Sequence, residues 1–335
     1  MKKVTIKDVA KDAQVSIATV SKVINNKGYV SKSTLDAVLQ SINKLGYSVN
    51  ANARSLKAAK SNKIAVLTSD ISNPYLMSIA KDVEEMIRSL NSHMLLLSHN
   101  DNPEIEKTSL KIIIEQQVDA LVIIPTGENG DLIESIKKMN IPVIAIDREV
   151  DEVETDLIVD DNYFGSYESI KYLYQLGHKR IGIIYGHQKN SIGRDRFTGA
   201  IAALEDLSIE TDPSLIHPAD FKEDLAYRAT IELLMQPTPP TAIYSCNNTM
   251  TAGVLKAIRD QDMKIPEDIS VIAFGDNSQW ELVNPKLTLM TQPTKRIGIE
   301  ASIMLKNRLT LMERFAAQKK VMKPTLIKGD SCKSI

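Results

Sequence analysis

The sequence predicts two unlike parts in one chain: an all-α helix-turn-helix head and a larger α/β body of two doubly wound parallel-sheet lobes. Three observations carry this expectation. Charge is unevenly divided, because residues 1–63 hold twelve Lys or Arg against three acids, so the overall charge of -1 leaves the remainder near -10. Residues 1–49 repeat apolar positions at helical spacing. From Lys63 onward, near-continuous apolar runs alternate with helix-length amphipathic stretches, the pattern of parallel strands covered on both faces.

In the head, "TIKDVAKDA" places Ile6, Val9, Ala10 and Ala13 on one helix face, with Thr5 as N-cap. After a break, "VSIATVSKVIN" starts again from Ser16 as a second cap and turns Val20, Val23 and Ile24 inward. Ile17, Ala18, Ser21 and Lys22 then fall on the outer part of the second helix, where a recognition helix presents side chains to base edges. A third amphipathic helix, "KSTLDAVLQSINKLGY", offers Leu35, Val38, Leu39, Ile42 and Leu45 to a small core and ends at Gly46. The positive surplus suits a polyanion, since each phosphate neutralised by Lys or Arg releases counterions. The next stretch, "NANARSLKAAKSNK", is small and basic, with a short helix expected over Ala51–Lys57. Two roles stand open for it: a flexible tether, or a hinge helix that orders on DNA with Leu56 wedged into a minor-groove step and Arg54 and Lys57 near phosphates.

In the body, eight runs read as strands: "KIAVLTS", "HMLLLSH", "ALVIIPT", "VIAIDR", "RIGIIYG", "SLIHPAD", "AIYSCN" and "SVIAFGD". The polar stretch "REVDEVETD" divides them into two sets, hence two lobes. Ligands of open α/β sheets collect at the carboxyl ends of strands. Those ends carry Tyr75, Asp147, Arg148, Phe221, Asn247, Asn248, Asp276 and Trp280, and "SIGRDRFTGA" adds Arg194 and Arg196. Guanidinium groups, carboxylates, amides and aromatic faces together suit a polyhydroxylated small molecule, whose hydroxyls each need a donor and an acceptor. Tyr75, Phe221 and Trp280 fit core packing equally well, and Asn247 and Asn248 also fit helix caps.

Several classes are excluded. The chain of 335 residues, 43% hydrophobic and 25% charged, is long enough for two or three ordinary globular domains. No apolar run approaches the roughly 18 residues of a membrane span, and "MKKVTIKDVAKD" turns charged too soon for a signal peptide, so a cytoplasmic location with no membrane partner is expected. Cys246 and Cys332 stand apart without CxxC or a His cluster, so neither disulfide nor zinc is expected. GxGxxG after a strand, GxxxxGK[ST], HExxH and GxSxG are all missing, and Asp160 and Asp161, read as neighbours on one strand, point to opposite faces. An enzyme is not expected, nor any catalytic residue, metal or cofactor.

The segments "VTIKDVAKDAQVSIATVSKVIN" and "LGYSVNANARSLK" resemble the head and hinge of the LacI/GalR family of bacterial transcriptional regulators, and the likeness runs through nearly the whole chain. The resemblance implies a helix-turn-helix domain over 1–49, a hinge helix and linker over 50–62, and an effector-binding and dimerisation domain over 63–335. Within the last, a periplasmic-binding-protein-like body has an N-lobe of about 63–160 and 293–321 and a C-lobe of about 161–292 and 322–335. The chain would cross between lobes near Asp161, Gln292 and Met322, with the ligand in the cleft. The implied DNA-contacting set is Thr5, Ser16, Ile17, Ala18, Thr19, Ser21, Lys22, Asn25 and Tyr29, with Asn52, Arg54, Leu56 and Lys57 in the hinge.

The implied partners are a roughly palindromic operator, a carbohydrate-type effector and a second copy of the chain. An unidentified protein co-regulator stays open as a further partner. Function is then expected to be repression of a carbohydrate-utilisation operon; the alternative is a periplasmic-type sugar receptor, against which the missing signal peptide and basic head both argue. Too few residues follow "TLIKGD" for a heptad tail, so a dimer is expected. Two departures stand out: Val49 where the family usually has proline, and Gly275 where "VIAFGD" aligns with a strand commonly ending in Phe-Asp-Asp. Losing that carboxylate beside Arg148, Arg194 and Arg196 makes the cleft more positive and points to an anionic effector such as a sugar acid, with Asp276 as a substitute acceptor.

Overall fold

Thr5 opens the first helix of the computed structural model, α1 (Ile6–Asp12), by donating from its backbone N–H and its hydroxyl to the Asp8 carboxylate, at 2.8 and 2.7 Å. Ser16 caps α2 (Ile17–Ile24) by accepting from the Thr19 N–H at 3.1 Å. Ser31 does the same for α3 (Lys32–Leu45), which Gly46 ends at φ 62°, a left-handed conformation that costs glycine nothing sterically. Val9, Ala10, Val20, Val23 and Val38 form the centre of the head's core, and Ile6, Leu35, Ile42, Leu45 and Tyr47 pack round them. Asp12 and Lys44 tie α1 to α3 at 2.8 Å.

Leu39 corrects the expectation: it is 45% exposed and lies outside this core. Leu35, Val38, Ile42 and Leu45 already complete a stripe at steps of three and four, so Leu39 falls about 40° past its edge.

The structure describes residues 4–24, 28–47, 61–150, 152–311 and 316–335. The hinge helix expected over Ala51–Lys57, with Asn52, Arg54, Leu56 and Lys57, lies outside the described residues, as do Asn25 and Val49. Residues 1–61 and 62–335 form two separate compact units.

The second unit contains two six-stranded sheets. The first runs β11-β5-β4-β3-β1-β2, built from β1 (Lys63–Thr68), β2 (His93–Ser98), β3 (Ala120–Ile123), β4 (Val143–Ile146), β5 (Asp156–Asp160) and β11 (Lys319–Met322). The second runs β12-β10-β9-β8-β6-β7, from β6 (Ile181–Tyr185), β7 (Ile216–Pro218), β8 (Ala242–Ser245), β9 (Ser270–Gly275), β10 (Thr288–Thr291) and β12 (Thr325–Ile327). Pairing is parallel except where β12 meets β10.

All eight predicted runs are strands, and β5, β10, β11 and β12 are additional. The last two pass unnoticed in sequence because "KKVM" and "TLI" are short sheet-edge strands, without the continuous apolar run of a central one. Asp160 and Asp161 do not share a strand: β5 ends on Asp160, and the Asp161 carboxylate caps the following helix by accepting from the Phe164 N–H at 3.1 Å.

Helices cover both faces of the first sheet. Ile64 and Val66 point toward α4 (Pro74–Ser89) and α11 (Thr294–Thr310), packing with Ile79, Val83, Ile297 and Leu305. Ala65 and Leu67 point the other way, against Leu110 and Ile113 of α5 (Pro103–Glu115) and Ile133 and Ile136 of α6 (Gly130–Lys138). The second sheet lies among α7 (Asn162–Gln175), α8 (Ser191–Asp206), α9 (Glu223–Leu234) and α10 (Asn248–Asp260), in one core that includes Tyr244, Phe274 and Trp280. The chain leaves the first sheet after β5, returns after β10 to form α11 and β11, and leaves again for β12. Each lobe is therefore assembled from distant segments.

Candidate functional site

In the head, the capping of α2 leaves its outer side exposed. Ile17, Ala18 and Lys22 are exposed, Thr19 and Ser21 partly so, and Val20 and Val23 buried. The Ser16 hydroxyl serves the cap and lies 2.9 Å from the Thr19 hydroxyl. Thr5 is exposed beside its Asp8 partner, and Tyr29 is 94% exposed in the turn between α2 and α3. This is a helix fixed from behind by aliphatic packing, presenting small side chains and one ammonium group outward.

In the body, one buried chain of polar groups runs from lobe to lobe. The Tyr75 hydroxyl, on α4, lies 3.0 Å from Asp147 Oδ1 and 3.4 Å from Asp160 Oδ2. Gln292, on the return crossing, donates to the same Asp160 oxygen at 2.6 Å. Asn162 at the start of α7 donates to the Asp160 carbonyl at 3.1 Å and accepts from Arg196 Nε at 2.8 Å. Arg196, on α8 and 4% exposed, also donates to the Cys246 carbonyl at 2.6 Å and lies 3.9 Å over the Phe274 ring. Burial pushes the Asp160 carboxyl up to about 7, with the Asp147 charge adding to the effect. Burial and the same aspartate also hold the Tyr75 hydroxyl well above its ordinary value.

A second group surrounds the end of β9. Trp280 Nε1 donates to Asn248 Oδ1 at 2.9 Å, and Asn248 Nδ2 donates to the Asp276 carbonyl at 3.2 Å. Asp276, the expected substitute acceptor, already has partners of its own. Its carboxylate accepts from the Ser278 N–H at 2.9 Å and the Thr294 hydroxyl at 2.7 Å, so both oxygens are engaged by the turn and by α11. Asn247 caps α10 by accepting from the Met250 N–H at 2.8 Å. Trp280 is 7% exposed and belongs to the second lobe's core, which explains its burial without a ligand.

The expectation of a more positive cleft does not hold either. Arg148 forms an ion pair with Asp101, and Asp147 lies 3.9 Å from its Nε. Arg194 donates to the Lys189 carbonyl at 3.1 Å. Sequence reading overlooked Asp101 because it belongs to the loop after β2, distant in the chain from Arg148. Phe221 sits over Gly186, where a Cβ would come within 2.1 Å of the ring, and meets His187 edge-on at 5.0 Å.

Asp160, Asn162 and Gln292 were also missed as site residues. Recognising β5 and β10 would have found them, since Asp160 ends one strand and Gln292 follows the other. Among the described residues, the buried polar atoms without a hydrogen-bond partner include Asp160 Oδ1, Arg148 Nε, His187 Nδ1 and Asn190 Nδ2. Buried polar groups are ordinarily satisfied, so these mark where a ligand or water has work to do. Among the described residues no cluster of His, Cys, Asp and Glu is arranged to hold a metal ion, and no helix is long and apolar enough to cross a membrane.

Residues 5–50 match the model of bacterial regulatory proteins of the lacI family, and residues 170–332 match a periplasmic binding protein-like domain. The HTH-type transcriptional repressor PurR of Haemophilus influenzae is 33% identical over 334 residues, 99% of each chain. The chain belongs to the LacI family. Another relative, the HTH-type transcriptional regulator DegA of Bacillus subtilis, is 33% identical over 328 residues, 97% of each chain.

Among solved structures, the transcriptional regulator CelR in complex with cellobiose superposes with a TM-score of 0.73 at 25% identity, covering 98% of this chain and 99% of that one. The Lac repressor dimer bound to operator and the anti-inducer ONPF gives a TM-score of 0.80 at 23% identity, over 98% and 99%, a likeness of fold. As a LacI-family transcriptional regulator, the chain binds DNA through its helix-turn-helix head and a small-molecule effector in its body, and it is not an enzyme. Its place of work is the cytoplasm, where a bacterial regulator meets its operator.

Proposed function

We propose that this LacI-family regulator is a dimeric repressor of a roughly palindromic operator, and that a carbohydrate-type molecule held between its lobes controls its grip on DNA. Repression is the activity named for the PurR relative. The observation that carries the effector reading is the buried chain Tyr75–Asp147–Asp160–Gln292 with Asn162 and Arg196, which joins both lobes and keeps an unpartnered carboxylate oxygen. A polyhydroxylated ligand offers the donors and acceptors such a surface requires. CelR in complex with cellobiose and a LacI-family regulator from Enterococcus faecium with bound ribose, both 25% identical to this chain, support the same class.

In this reading Tyr75, Asp147, Arg148, Arg196, Phe221, Asn247, Asn248 and Trp280 wall the effector site, with Arg194 and Asp276 as supports at its edge. Ile17, Ala18, Thr19, Ser21 and Lys22 read bases, while Thr5, Ser16 and Tyr29 meet the backbone. Asn25, Asn52, Arg54, Leu56 and Lys57 complete the DNA-contacting set. A dimer sets two recognition helices about one DNA turn apart. Ligand-driven rearrangement of the lobes changes that spacing, with a coupling free energy of about 1–3 kcal/mol.

A thermal-shift screen of sugars, amino sugars, sugar acids and sugar phosphates, followed by operator gel shifts with each hit, tests this. At least one member raises the melting midpoint and changes the operator Kd. Ligands that raise the midpoint without altering operator affinity would refute effector control.

A further inference from the structure

A cavity of about 160 Å³ opens between the lobes beside the first crossing. Its charged lining is Asp147, Glu149, Asp160, Asp161, Asp195 and Lys319, five carboxylates against one ammonium group. Lys319 pairs with Glu149 at 2.6 Å and Arg148 pairs with Asp101, while Arg196, bonded to the neutral Asn162 amide and Cys246 carbonyl, keeps its charge and offsets only part of the cost of burying Asp160. Of the carboxylates, Asp161 is committed to its helix cap and Asp147 accepts from Tyr75.

Asp160 differs from the others. It is 3% exposed, its Oδ2 accepts from Gln292, and its Oδ1 has no partner. An ionised carboxylate oxygen buried without a donor is costly, and the cost is removed either by a proton or by a ligand that donates to it. A neutral hydroxyl supplies the hydrogen bond and leaves the charge uncompensated. A protonated amine supplies both, and charge-assisted hydrogen bonds are roughly twice as strong as neutral ones.

Resting on the carbohydrate-type reading above, we infer that the effector carries a protonated amine, as an amino sugar does, and that Asp160 is the residue that selects it. The raised proton affinity of Asp160 agrees with this, because the site already draws one positive charge in the form of a proton.

The test is calorimetric titration and thermal shift of the full-length protein with glucosamine, galactosamine and mannosamine, against the parent hexoses, their N-acetyl derivatives, glucuronate and glucose 6-phosphate. The inference expects one amino sugar to bind more tightly than its hexose and N-acetyl counterparts. Asp160→Asn should weaken that amino sugar about tenfold or more while narrowing its advantage over the hexose. A single cooperative melting transition without ligand verifies that this variant is folded, and Asp147→Asn provides a second test if it is not, with a smaller loss of the same preference. A hexose or sugar acid that binds as tightly as any amine overturns the amine inference and leaves the carbohydrate reading intact. Loss of affinity in Asp160→Asn equal for amine and hexose overturns it also. No response to any member of the panel overturns both.

Discussion

A Cβ placed on Gly275 would stand 1.9 Å from the Asn248 side-chain oxygen. The position is therefore not an empty place in the cleft wall. The Asn248 amide fills the space and bridges the Trp280 indole and the Asp276 carbonyl. Gly275→Asp should destabilise the body by about 2–3 kcal/mol, because the amide must leave both hydrogen bonds or overlap the new side chain. Urea denaturation measures this, and Asn248→Ala in the same chain should recover part of the loss. An additive double-mutant cycle would show that the two positions do not compete.

Arg196 combines two donated hydrogen bonds with a stacked ring. Lysine matches neither the planar fork nor the stacking. Arg196→Lys should cost about 2–3 kcal/mol of stability and abolish the response of operator binding to effector, while the isolated head's DNA contacts stay unaltered. Retained effector response in a gel-shift titration would remove Arg196 from the site.

Asp160 predicts a pH dependence whose sign follows from its raised value. Its ordinary value is 3.8 and its folded value about 7. Between these the folded state holds a proton that the unfolded state has released, so stability declines as pH rises through that window and levels off above it. The full decline is at most about 4 kcal/mol. Asp160→Asn should flatten this part of the curve and melt above wild type at pH 8, with the difference closing toward pH 4. Parallel curves for the two proteins would show that Asp160 titrates normally.

Lys22 projects from the exposed side of α2, whose other face is anchored by Val20 and Val23. A base-reading lysine is worth about 1–3 kcal/mol of discrimination. Lys22→Ala should therefore weaken operator binding by that amount and random-duplex binding much less. Equal losses on the two duplexes, at fixed salt, would make Lys22 a phosphate contact.

Helix starts and central strands were legible because their causes are local. Thr5 and Ser16 cap as their positions imply, and runs such as "KIAVLTS" and "SVIAFGD" are apolar enough to be parallel strands. Leu39 and the edge strands β11 and β12 were misjudged or missed for a related reason. Burial of a single leucine, or of three residues such as "TLI", depends on what packs beside them, and periodicity does not contain that information. At the site, Tyr75, Asp147 and Arg196 were found from strand ends and motif. Their partners Asp160 and Gln292 come from crossings separated by over a hundred residues, and the structure brings them to 2.6 Å.

The sequence by itself determined the basic helix-turn-helix head, the two-lobed α/β body and the residue types available at the strand ends, since charge, capping and apolar period are read over a few residues at a time. Only the tertiary structure decided how those residues are partnered: Asp276 bonds to a turn and to α11, Arg148 pairs with Asp101 and Asn247 caps α10, each with hydrogen-bonding capacity left over, while Asp160 retains a buried oxygen with no partner among the described residues. Availability depends on pairing among distant segments and on burial, which sets the cost of leaving a charge alone, and neither exists until the lobes are built.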